Sequence, residues 1–177
     1  MTTSDVTATK PLWLSMEERI LELDVQALSG ENLEASIQRI AGELDDAGYN
    51  VSRRGGNMVD LRFAVDKALK VGKPLLEDFN AAVSKFTLED VDDPYMATNH
   101  LLDQLGETWP ELRSSQRRPD IIEIIEKTKL DLLIAKAKGL PDDDGIRLLI
   151  GEKVDFEVIT SALEITEEKL EQVNEQM

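Results

Sequence analysis

PDIIEIIEKTKLDLLIAKAK, residues 119–138, is the stretch whose reading decides the fold. Its isoleucines suit a strand as well as a helix, because β-branched side chains pack well on pleated surfaces. Two features favour the helix. The run is far longer than an ordinary strand, and Glu and Lys are interspersed along it. Pro119 suits a first helical turn and Gly139 follows the last. Ile121, Ile122, Ile124, Ile125, Leu130, Leu132, Leu133 and Ile134 cover more than one face, so this helix is expected to be the central one of the core.

Outward from it, the same period recurs. Leu12, Met16, Ile20, Leu23 and Ala27 form one stripe after Pro11, broken at Ser29 and Gly30. Leu33, Ile37, Ile40, Ala41 and Leu44 form a second, with Gly48 and Tyr49 placed for a Schellman-type stop. Met58, Leu61, Val65, Ala68 and Leu69 mark a third helix ended by Gly72, and Pro74 opens a fourth with Leu75, Leu76, Phe79, Val83 and Phe86. Asp93 and Pro94 cap and start a fifth carrying Met96, Ala97, Leu101, Leu102 and Leu105. Beyond Pro141, Asp155 and Thr166 are placed to cap the last two helices.

No segment sustains a period of two; the one place for a short strand is Tyr49 to Arg53. The expected fold is all-α: a single helical domain of eight to nine helices around the central apolar helix 119–138. Residues 1–10 read as a disordered lead, 11–140 as the helical core and 141–177 as a C-terminal helical hairpin packed on that core or on a partner.

Composition excludes several function classes. The chain of 177 residues has 41% hydrophobic residues, enough for a core, and no cysteine. Disulfides, thiolate metal sites and cysteine nucleophiles are thereby excluded, and the reducing cytoplasm is the natural compartment. No apolar run reaches the length of a bilayer span, and the first ten residues lack the pattern of a secretory signal. A net charge of −16 disfavours direct binding to nucleic acid or anionic membrane.

That charge is unevenly placed. Residues 51–73 hold six basic and two acidic side chains, and 113–140 hold seven and four, whereas 74–112 hold one and nine. The first basic island opens with VSRRGGNMVD, residues 51–60. Arg53, Arg54, Gly55 and Gly56 precede a helix, and Arg117 and Arg118 stand before Pro119 in the second island. Helix N-termini, flexible glycines and forked guanidiniums can together hold a phosphate or carboxylate. The plainer reading is charge matching with the acidic segments around each island.

Catalytic patterns are few. His100 lies three residues before Asp103, a spacing that serves a surface hydrogen bond better than acid–base work. PDDDG resembles part of a calcium loop, but placing Gly145 at the sixth position puts Leu140 and Gly151 where ligands are required. The aspartates are accounted for by a helix start. Residues 155–173 have the outline of a helix-turn-helix and in that outline resemble bacterial regulators. The turn position often held by glycine is Glu164, and the second helix offers Lys169 against Glu167, Glu168, Glu171 and Glu175. Such a helix repels phosphates, so a packing hairpin is expected.

Leu163, Leu170, Val173 and Met177 keep heptad-like spacing, so the tail can meet the domain or a partner helix. Trp109 is read as a plug over a core edge, with an exposed hot spot as the alternative. The candidate partner interface is therefore Trp109, Leu170, Val173 and Met177. No catalytic residue, metal ligand or cofactor is assigned. The expectation is a non-enzymatic acidic helical protein acting through protein–protein interaction, as adaptor, chaperone-like or regulatory factor, with a homodimer compatible. The alternatives are an acidic nucleic-acid mimic binding a basic partner, and a helical domain binding an anion at the Arg-Gly loop.

Overall fold

The computed structural model describes residues 10–177, so the expected N-terminal lead lies almost wholly outside the described residues. Among them the fold is all-α: nine α-helices, two short 3-10 turns and no strand. The chain divides into two compact units. One runs to Ser84 and includes Gln104–Leu112; the other comprises Lys85–Asp103 and Arg113–Met177.

The first unit contains α1 (Leu12–Leu21), α2 (Gly30–Asp46), α3 (Gly55–Val71) and α4 (Leu75–Val83). Helix α1 touches the other three. The expected stripes supply the core: Met16 and Ile20 meet Ile37, Ile40, Ala41 and Leu44 from α2, and Leu61, Val65 and Ala68 from α3. Leu23 and Ala27 do not extend α1. Its end tightens through Leu23 N–H to the Ile20 carbonyl, and the 3-10 turn Val25–Ala27 then buries Val25 instead.

Gly48 ends α2 with φ 94°, as its position suggested. Its N–H reaches the Asp45 carbonyl at 2.9 Å, and the Tyr49 N–H reaches that of Leu44 at 3.0 Å, the two bonds of a Schellman stop. The Tyr49 hydroxyl then donates to the Lys10 carbonyl and accepts from Ser15, each at 2.8 Å, tying this end to α1. No strand follows between Tyr49 and Arg53. Asn50 takes φ 53°, and the Asp45 carboxylate accepts the N–H groups of Val51 and Ser52, so their donors are spent on a turn.

The second unit holds α6 (Arg118–Lys138), α7 (Asp142–Gly151), α8 (Phe156–Leu163), α9 (Glu167–Asn174) and most of α5 (Pro94–Leu105). Helix α6 buries Ile121, Ile125, Leu133 and Ala137 in one row; Ile122, Ile124, Leu130, Leu132 and Ile134 are half-buried around it. Leu133 and Ala137 share a core with Ile146 and Leu149 of α7, Ile159 of α8, and Leu170 and Val173 of α9. The C-terminal hairpin, α8 and α9, packs on α7. Thr166 caps α9 by accepting the Lys169 N–H; Asp155 occupies the cap position of α8 without a side-chain bond. Asp93 caps α5 through the N–H groups of Tyr95 and Met96.

Candidate functional site

Arg54 stands at the N-cap of α3, and Gly55 and Gly56 are already its first two residues. Neither glycine has a positive φ, and a Cβ added at either would meet nothing within 4 Å. The expected loop flexibility is therefore not used. What stands at this end of α3 is a smooth, exposed backbone with Arg53 and Arg54 beside it. Among the described residues no carboxylate lies within ion-pair distance of either arginine.

Three other cations of this island, Arg62, Lys67 and Lys73, are engaged within the first unit. Arg62 grips Glu34 with two parallel bonds of 2.7 Å, which holds that carboxyl at about 2 from its ordinary 4.5. Lys73 donates to Asp78 at 2.7 Å, and that bond raises the pKa of the lysine. Asp78 also accepts the Trp109 indole N–H at 2.8 Å, while Lys67 sits 5.8 Å from the centre of the indole. Trp109 is 1% exposed, so it is the plug and not an exposed anchor.

In the second unit, Arg118 donates to Asn99 at 2.7 Å, Arg113 lies 3.9 Å from Asp103, and Lys129 lies 3.6 Å from Asp92. Arg117 and Arg118 are half-buried. The two arginine pairs thus belong to different units. Charge matching accounts for Arg62 and Lys73 in the first island and for Arg113 and Lys129 in the second, and Arg53 adds to the lowering of the Asp45 carboxyl, which the hydrogen bonds from Ser52 lead.

Tail residues turn inward. Leu170 and Val173 are each 1% exposed, covered by their own unit through the α7–α9 packing, and so are not available to a partner. Met177 is exposed. In the hairpin turn Glu164 has φ 53°, the conformation a glycine would adopt there. Lys169 pairs with Asp143, leaving Glu167, Glu168 and Glu171 as exposed charges of α9, with Glu175 at its C-cap.

The acidic clusters are structural in detail. Asp142, Asp143 and Asp144 form the first turn of α7, and the bond from Lys169 lowers Asp143. Gly145 lies inside that helix because a Cβ there would sit 2.6 Å from the Ala137 carbonyl oxygen of α6. In the connector before α5, Asp90 accepts the backbone N–H and the hydroxyl of Thr87, which lower its carboxyl. Among the described residues no group of three or more His, Asp or Glu is placed to hold a metal ion. His100 is exposed and its ring lies 6.5 Å from that of Phe86.

An open groove of about 510 Å³ runs beside α6, floored by Leu130, Leu133, Val154 and Val158 and rimmed by Glu126, Lys129, Glu152, Lys153 and Asp155. It presents apolar surface with charges of both signs at the rim.

Two exposed apolar pairs escape the sequence reading. Val59 and Phe63, 64% and 60% exposed, lie four residues apart on α3, off the stripe that forms its core face. Tyr95 and Met96, 61% and 63% exposed, stand at the start of α5; Met96 is thus not on the buried side, which Ala97, Leu101 and Leu102 occupy. A helical wheel separates Val59 and Phe63 from Leu61 and Val65, so that signal was present in the sequence. Met96 and Ala97 are adjacent, and spacing alone did not separate them.

No family model, curated protein or solved structure matches the chain. No helix among the described residues is long and apolar enough to cross a membrane.

Proposed function

We propose that this is a non-enzymatic helical interaction protein, an adaptor or regulatory factor of the cytoplasm that engages other proteins through exposed helix faces. The observation that carries the reading is the pair of apolar patches, Val59 with Phe63 and Tyr95 with Met96. Large apolar side chains exposed together on a rigid helix, with charges nearby, are the usual makings of an interface centre. Affinity capture from native lysate, with the double variant Val59→Ser/Phe63→Ser and the variant Tyr95→Ser/Met96→Ser beside the parent chain, tests it. A stoichiometric partner lost with either variant supports the reading. Turnover of a small substrate that disappears with His100→Ala would sink it.

A second reading has its own observation, the exposed glutamates Glu167, Glu168 and Glu171 of α9 with Glu175 at its C-cap. They make a carboxylate face suited to a basic partner, as in a mimic of nucleic acid. Reversing Glu168 and Glu171 to lysine would then abolish salt-sensitive binding to a basic protein while leaving the α3 and α5 faces intact. Unchanged binding by that variant rejects this second role.

A further inference from the structure

We draw no further inference here: the strongest candidate, the open groove beside α6 floored by Leu130, Leu133, Val154 and Val158 and rimmed by charges of both signs, carries none because nothing in the structure shows what covers it.

Discussion

Residues 53–56 and 142–145 look alike as sequence: two or three like charges beside glycine at the start of a helix, one set basic and the other acidic. Each invites a ligand. In space their glycines differ completely. Gly55 and Gly56 have helical backbones and empty surroundings, so nothing in the fold requires them to lack a side chain. Gly145 is pressed against the backbone of Ala137, where any Cβ would overlap a carbonyl oxygen at 2.6 Å. The acidic glycine is a packing device between α6 and α7. The basic pair is free for a surface role; of the arginines beside it, Arg53 already adds to the lowering of the Asp45 carboxyl. Resemblance to a binding loop therefore says little until the space around the glycine is known.

The contrast can be broken most forcefully at Gly145. Gly145→Ala should lower unfolding stability by about 1–3 kcal/mol, the usual range for overpacking, despite the better helix propensity of alanine. A urea midpoint equal to the parent's would show that α7 can simply move away. Glu164 tests the converse, a left-handed position that lacks its glycine. Glu164→Gly relieves that conformation and should raise stability by about 0.5–1 kcal/mol, measured by the same titration. Gly55→Ala/Gly56→Ala should also stabilise, by roughly 0.5 kcal/mol, because the first turn gains less from propensity than a helix interior. A loss of stability there would mean that the open backbone is used after all.

The smallest effect concerns the charge pairs. Glu34 is depressed in the folded chain, so its pairing with Arg62 contributes above its ordinary value of 4.5 and fades as pH falls towards about 2. The stability gap between the parent and Glu34→Gln should accordingly narrow from pH 4.5 to pH 2. A constant gap across that window removes the pair from the account. The gap is modest throughout, because both side chains are substantially exposed.

Much of the architecture could be read from periodicity and punctuation. The stripes of α2 and α3, the Schellman stop at Gly48 and the cap at Asp93 are short-range facts, set by residues a turn or two apart. Less legible was anything decided across the fold. The end of α1 at Leu21 depends on Val25 finding the core, and the burial of Trp109 depends on Asp78, 31 residues earlier. The candidate interface divided along the same line. Leu170 and Val173 have a sound heptad-like pattern, but α7 was the partner that the pattern awaited. Val59 and Phe63 stood out only once the core side of α3 was fixed.

The order in which the chain is made gives Trp109 a further significance. The first unit is interrupted by Lys85–Asp103 and completed only by Gln104–Leu112. During synthesis its four helices are therefore available before the indole that donates to Asp78 exists. At about 5–20 residues per second, the interval from Ser84 to Trp109 lasts roughly 1–5 s. For that time the nascent first unit has an unplugged edge, and it can be completed only after the start of the second unit has been made.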